Sequence, residues 1–130
     1  MSNSVIIAES SGTLARRMGI ILSEEGFTVR EVCADGVAAL RAAQEHPPSL
    51  LVFDILLPRL SGLQLAAACS KFPTPPLLCA VSAVTARSRL EQAKQAGVRY
   101  YLLKPLDEEK FRTILRAHRS NVAQGQAQVG

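Results

Sequence analysis

A chain of 130 residues, 48% apolar and 20% charged, has the size of one domain and enough apolar side chains to build a core, which excludes a multidomain enzyme and a disordered tail. Its longest charge-free stretch, residues 72–86, is shorter than the ~20 apolar residues of a spanning helix and is broken by prolines, so no membrane contact is expected. The net charge of +4 is uneven, with six Lys/Arg against seven Asp/Glu in residues 1–86 and nine against four in 87–130, an excess that reads as a solvated surface without direct nucleic-acid contact, since the chain has two tyrosines, no tryptophan and no nucleic-acid motif.

In chain order, Ser4–Ala8 is a continuous apolar run and predicts a buried strand, β1 over 4–8. Leu14, Met18, Ile21 and Leu22 recur at helical spacing and predict α1 over 12–25, stopped by Gly26. The more polar, alternating run that follows predicts a strand nearer a sheet edge, β2 over 27–32. Asp35 caps α2 (36–46), whose core face is Val37, Leu40 and Ala43. Leu50–Phe53 opens β3 (50–54), and Leu63, Leu65, Ala66 and Cys69 mark α3 (61–71). Leu77–Val81 predicts β4 (77–81), Thr85 is the expected cap of α4 (85–96), and Gly97 ends that helix. Tyr100–Leu103 falls in β5 (99–103), and Asp107 caps α5 (107–118). Residues 1–119 form one domain in this reading, and 120–130, polar and without periodicity, read as a flexible tail or linker stub.

Five βα units in strict alternation imply a doubly wound α/β fold, a five-stranded parallel sheet with helices on both faces, because a parallel crossover needs a helix to span it. The N-terminus has no basic residue ahead of an apolar stretch, so no signal peptide is expected and the location is read as cytoplasmic. Cys33, Cys69 and Cys79 lack metal-ligand spacing and read as ordinary buried thiols.

Ligands of open α/β sheets sit beyond the carboxyl ends of the strands. Those ends carry Glu9-Ser10 after β1, Asp54 after β3, Ser82 after β4 and Lys104-Pro105 after β5. Convergence of Glu9, Asp54, Ser82 and Lys104 would suit phosphoryl chemistry, with Asp54 as nucleophile, Mg²⁺ and Lys104 neutralising charge and Ser82 donating a hydrogen bond. Neither glycine-rich nucleotide-binding pattern occurs. A hydrolase that uses a strand-end aspartate with a second acid two residues on is disfavoured, because that place is Leu56.

The segments V-I-I-A-E-S (5–10), D-G-V-A-A-L (35–40), L-L-V-F-D-I-L-L-P-R-L-S-G (50–62), V-S-A (81–83) and A-G-V-R-Y-Y-L-L-K-P-L (96–106), in this order, resemble the receiver domains of bacterial two-component response regulators. The resemblance covers about residues 4–118. It implies a flavodoxin-like (βα)5 fold with strand order 2-1-3-4-5, and a phosphoprotein that accepts phosphoryl on Asp54 from a histidine kinase or phosphotransfer protein. It further implies that Lys104 binds the phosphoryl oxygen, Ser82 is the switch hydroxyl, Tyr101 is the moving aromatic of β5, and the peptide before Pro105 is cis. Pro58 and Gly62 match the loop after the acceptor, and Ala83 the small residue that admits phosphate. Mg²⁺ would be held by Glu9, Asp54 and the Leu56 carbonyl, with Ser10 as a further candidate. The family usually has two acidic residues after β1, so Ser10 implies weakened Mg²⁺ binding. Glu9 has a plainer reading as an ion-pair partner of Lys104. The output surface would be α4–β5–α5, where Arg87, Arg89, Lys94, Arg99, Arg112 and Arg116 could pair with Glu91, Asp107, Glu108 and Glu109 across a homodimer. The alternative is a phosphorylation-independent pseudo-receiver, an interaction module with the same fold.

Overall fold

The computed structural model describes the backbone of residues 3–129 and the side chains of 3–119. Five strands alternate with five helices among the described residues: β1 (Ser4–Ala8), α1 (Gly12–Glu24), β2 (Thr28–Cys33), α2 (Gly36–Glu45), β3 (Leu50–Phe53), α3 (Gly62–Cys69), β4 (Leu77–Ser82), α4 (Arg87–Gln95), β5 (Tyr100–Leu103) and α5 (Glu108–Val129). The sheet is parallel throughout, in the order β2-β1-β3-β4-β5.

Alternation of side chains along the strands divides the core in two. Val5, Ile7, Leu50, Val52, Cys79 and Val81 point to one face, where Met18, Ile21 and Leu22 of α1 and Phe111 and Leu115 of α5 cover them. Ile6, Ala8, Leu51, Phe53, Leu78 and Ala80 point to the other, under Ala39 and Ala43 of α2 and Leu65, Ala66 and Cys69 of α3. Each fully buried Leu, Ile or Phe contributes about 1.5–3 kcal/mol, so the continuous apolar strands are central because both of their faces are covered. β2 is an edge strand, mostly exposed, with a register irregularity opposite Val5 and Ile6. Its polar character is what an unpaired edge tolerates.

Ser11, Asp35 and Ser61 cap the first three helices through side-chain oxygens. α4 corrects the expectation at Thr85: its N-cap is Ala86, which makes no side-chain bond, because the helix begins at Arg87 and leaves Thr85 one position too early. Gly26 and Gly97 end their helices at positive φ, as expected. α5 also differs from its reading. Its helical backbone continues to Val129 through the segment expected to be irregular. No proline interrupts it, and alanine and glutamine sustain a helix even without an apolar face. Residue 130 and the side chains of 120–130 lie outside the described residues.

Candidate functional site

The carboxyl ends of β1, β3 and β5 bring Glu9, Asp54 and Lys104 together. Asp54 directly follows four fully buried strand residues, so the sheet delivers its carboxylate to the rim while leaving it only 6% exposed. The loop beyond it is fixed by local chemistry. Ser61 and Gln64 form a reciprocal capping box at the start of α3, and the Gly62 N–H donates to the Ile55 carbonyl at 2.8 Å. A Cβ at residue 62 would run into the Asp54 carbonyl and Ile55 Cα, so only glycine lets α3 approach the end of β3 this closely. In the same loop Arg59 adopts φ 72°, a conformation unusual for a side chain of its kind.

Lys104 Nζ donates to Asp54 Oδ2 at 2.7 Å and to Glu9 Oε2 at 3.2 Å, and lies 3.0 Å from Glu9 Oε1. Asp54 Oδ1 accepts from the Leu56 N–H (3.0 Å), and Glu9 Oε2 from the Ser11 N–H (3.0 Å). Glu9 Oε1 is buried without a well-directed hydrogen bond, although its ion-pair distance to Nζ is short. Burial works against the Lys104 ammonium, but the hydrogen bonds and charges of Asp54 and Glu9 outweigh it and raise its pKa. The Lys104–Pro105 peptide is cis. The ion-pair reading of Glu9 is therefore realised, while Ser10 stays exposed beside it.

Ser82 is fully buried at the end of β4 and linked to both neighbouring elements. Its carbonyl accepts from the Lys104 N–H (2.9 Å), and its Oγ accepts from the Val84 N–H (3.3 Å). The Tyr101 hydroxyl donates to the Val84 carbonyl at 2.8 Å. Burial pushes the Tyr101 phenol up, the Ser82 hydroxyl opposes that shift, and the Asp54 charge adds to it. Tyr101 thus touches the same β4–α4 connection as Ser82. Ala83 is exposed and Leu56 is 64% exposed, an apolar side chain two residues beyond Asp54.

Hard oxygen donors of this kind suit Mg²⁺, and the buried, under-bonded Glu9 Oε1 is the feature that fits a cation. Only two carboxylates serve it. Among the described residues no group of three or more His, Cys, Asp or Glu converges as a metal cage. Cys33, Cys69 and Cys79 are buried free thiols, pushed up by burial to about 11, 11 and 12, as unreactive core residues should be.

Arg112 and Arg116, expected among the cations of the α4–β5–α5 surface, pair within the chain, although the Arg116 side chain stays 53% exposed. Arg112 donates to Glu24 Oε1 (2.7 Å) and Glu25 Oε2 (3.0 Å), and Arg116 donates to both oxygens of Glu25 (3.0 and 3.1 Å). Glu108 is engaged too, accepting from Arg17 at 2.6 and 2.7 Å. The spacing of Glu108, Arg112 and Arg116 puts them on one stripe of α5, and α1 presents the complementary charges alongside. That four-residue spacing was the available signal.

The fold and rim chemistry define a flavodoxin-like α/β domain with a carboxylate–lysine cluster at the carboxyl ends of its strands. Residues 5–116 match the response regulator receiver domain model, and the chain belongs to that family: it is a two-component receiver domain, a signalling domain rather than a classical enzyme. It is 34% identical over 113 residues to the transcriptional regulatory protein KdpE of Mycobacterium tuberculosis H37Rv, covering 87% of this chain and 49% of that protein. The chain spans about half the length of the first relatives it matches. The signal receiver domain of the putative response regulator NarL from M. tuberculosis superposes with a TM-score of 0.76 at 28% identity, covering 95% of this chain and 98% of the other. The receiver domain of sensor histidine kinase PA1611 from Pseudomonas aeruginosa, with magnesium in its active-site cleft, shares the fold with a TM-score of 0.78 at 23% identity, covering 90% and 97% of the two chains. Among the described residues no helix is long and apolar enough to cross a membrane.

Proposed function

We propose that Asp54 accepts a phosphoryl group from the phosphohistidine of a histidine kinase or phosphotransfer protein. The observation that carries this reading is a strand-end carboxylate, 6% exposed, held by a lysine at 2.7 Å and a backbone N–H at 3.0 Å. In the transfer an Asp54 oxygen bonds to phosphorus as the P–N bond of the donor breaks. The imidazole leaves with the bonding pair and takes up a proton. Lys104 and the Leu56 N–H stand where charge develops on the transferring oxygens. Glu9, Asp54 and the Leu56 carbonyl would hold Mg²⁺, which when bound would supply further charge neutralisation; with Ser10 in place of a second acid, its affinity would be lower than two acidic residues there would give.

Phosphorylation adds charge beside Ser82 and draws its hydroxyl toward the new oxygens. That movement disturbs the β4–α4 connection, to which Tyr101 is hydrogen-bonded, and so remodels the α4–β5–α5 surface. Arg112 and Arg116 are engaged with Glu24 and Glu25, and Arg87, Arg89, Lys94 and Arg99 are further cations of that surface that could meet an acidic partner or a second copy.

The second reading, an interaction module that works unphosphorylated, draws on the Glu9–Lys104–Asp54 contacts, which balance part of the site's charge without any ligand. Incubation with a small-molecule phosphodonor, with and without Mg²⁺, separates the two by intact mass. A gain of one phosphoryl group that is Mg²⁺-dependent and lost in Asp54→Asn supports the receiver chemistry. No gain at any Mg²⁺ concentration overturns it in favour of the module.

A further inference from the structure

Away from the carboxylate rim, α1 and the edge strand β2 leave an open, chiefly apolar groove of about 740 Å³. Two large apolar side chains that the fold leaves to solvent, Ile20 (49% exposed) and Val32 (56%), both line it. Along its α1 wall Arg16, Ile20 and Glu24 follow one another at four-residue spacing and so share one outer row of the helix. Arg16 has no hydrogen-bond or ion-pair partner among the described residues, and Glu24 gives Oε1 to Arg112 while its side chain stays exposed. The neighbouring row, Ala15, Gly19 and Ser23, is small. Gly19 lies inside the helix, where glycine is disfavoured, yet a Cβ there would come no closer than 4.0 Å to another part of the chain. The chain's own packing does not demand that glycine, whereas a second backbone approaching from outside would.

We propose that the groove seats α1 of a second copy of this chain, the two helices antiparallel about a twofold axis at Ile20. The charges single out this occupant. Arg16 and Glu24 each stand four residues from Ile20, so the twofold sets Arg16 of either copy against Glu24 of the other and makes two opposite-charge pairs from one relation. A row that is basic at one end and acidic at the other is complementary to itself only when antiparallel. Shape agrees with charge: the row through Ile20 is a ridge, and the small row of Ala15, Gly19 and Ser23 beside it is the groove into which the ridge of the other copy fits. Covering Ile20 and Val32 supplies the apolar contact, and the charge pairs fix the register. Pairing runs through the helix and not through added strands, because the β2 ladder is irregular opposite Val5 and Ile6, a feature that keeps an edge from recruiting another strand. The association needs no phosphoryl group and uses none of the α4–β5–α5 surface, so it stands apart from the function proposed above.

Sedimentation of the unphosphorylated 130-residue chain over a concentration series tests the pairing. The parent chain should dimerise. Arg16→Glu makes both ends of the row acidic and Glu24→Arg makes both ends basic, so each variant alone should associate at least about tenfold more weakly than the parent. Mixed in equal amounts, the two variants oppose each other's charges at both ends and should recover the dimer, which a misfolded variant would not do. Ile20→Cys reads the axis directly. Cys33, Cys69 and Cys79 are buried, so mild oxidation should join two copies of that variant through position 20, whereas Leu90→Cys on α4 should stay unlinked. A parent chain that remains monomeric up to about 1 mM, a mixture that associates no better than its components, or cross-linking through position 90 in place of 20 would each overturn the proposal. Phosphoryl uptake is read separately by mass. A chain that pairs through α1 but never gains phosphoryl keeps this inference and loses the proposed function; one that gains phosphoryl and stays monomeric loses this inference alone.

Discussion

The two flanks of the molecule are built differently. On one flank α1 and α5 share a core, with Met18, Ile21 and Leu22 meeting Phe111 and Leu115, and their outer edges are joined by ion pairs from Arg17–Glu108 to Arg116–Glu25. On the other, α4 buries a single residue, Ala93, lacks a side-chain cap and carries a half-exposed Leu90 beside the edge strand β5. A helix with so little buried surface has low local stability, whereas a helix closed on both core and rim does not. The contrast assigns the parts: α1 and α5 hold the frame, and the α4–β5 side is the one with least buried surface to keep it in place.

The largest expected effect breaks the frame. Phe111→Ala removes a fully buried ring from under α1 and the sheet and should destabilise the domain by about 3–5 kcal/mol, whereas Leu90→Ala on α4 should cost less than about 1 kcal/mol. Urea unfolding of both variants measures the difference. Equal losses would mean that α4 is as firmly seated as α5.

Acid should loosen the same flank in two stages. Burial lowers the pKa of His118, which stacks on Phe27 with ring centroids 5.9 Å apart and has no partner for Nε2. A histidine with a depressed folded pKa contributes stability above its unfolded value, near pH 6.5, and loses it as pH falls below that. Hydrogen bonds from Arg116 and Arg112 hold Glu25 below the usual carboxylate range, and a hydrogen bond from Arg17 does the same for Glu108. Their contribution is present above the unfolded glutamate value and disappears only as pH falls through the lowered folded values. Amide exchange in α5 should therefore accelerate first in mildly acidic buffer and again in strong acid, with α4 unaffected in the first stage. His118→Phe keeps an aromatic against Phe27 and should abolish the first stage alone. Simultaneous acceleration of α4 and α5 in mild acid would remove the distinction.

This difference between flanks was only half legible in the sequence. The strands and the rim residues Glu9, Asp54, Ser82 and Lys104 follow from apolar runs and strand ends, which are local patterns, whereas the strand order was legible only through the resemblance to receiver domains. The ion pairs between α1 and α5 join residues about ninety positions apart. Periodicity within α5 shows that Glu108, Arg112 and Arg116 share a stripe but not that the neighbour it meets is α1. The cap of α4 failed for a smaller reason. Thr85 is the right residue type one position early, and cap identity depends on where the first helical turn closes. Glu9 was ambiguous between metal ligand and lysine partner because both roles require the same charge in the same place. Only the distance to Nζ distinguishes the resting arrangement.

The smallest effect sharpens the comparison from the α4 side. Ala86 stands at the N-cap in extended conformation, φ −60° and ψ 130°, and its carbonyl already accepts from the Arg89 and Leu90 N–H groups. A side-chain oxygen is all that the cap lacks. Ala86→Ser or Ala86→Asp should supply it and stabilise the domain by about 0.5–1 kcal/mol, with aspartate adding a favourable interaction with the helix dipole. Amide exchange should slow in α4 and stay unchanged in α1 and α5. If the looseness of α4 serves switching, the capped variant will still gain phosphoryl on Asp54, yet its α4 amides will respond less to that gain than those of the parent chain. An undiminished response would mean that the moving part is the β4–α4 connection at Ser82 and Val84, with α4 carried along as a rigid body.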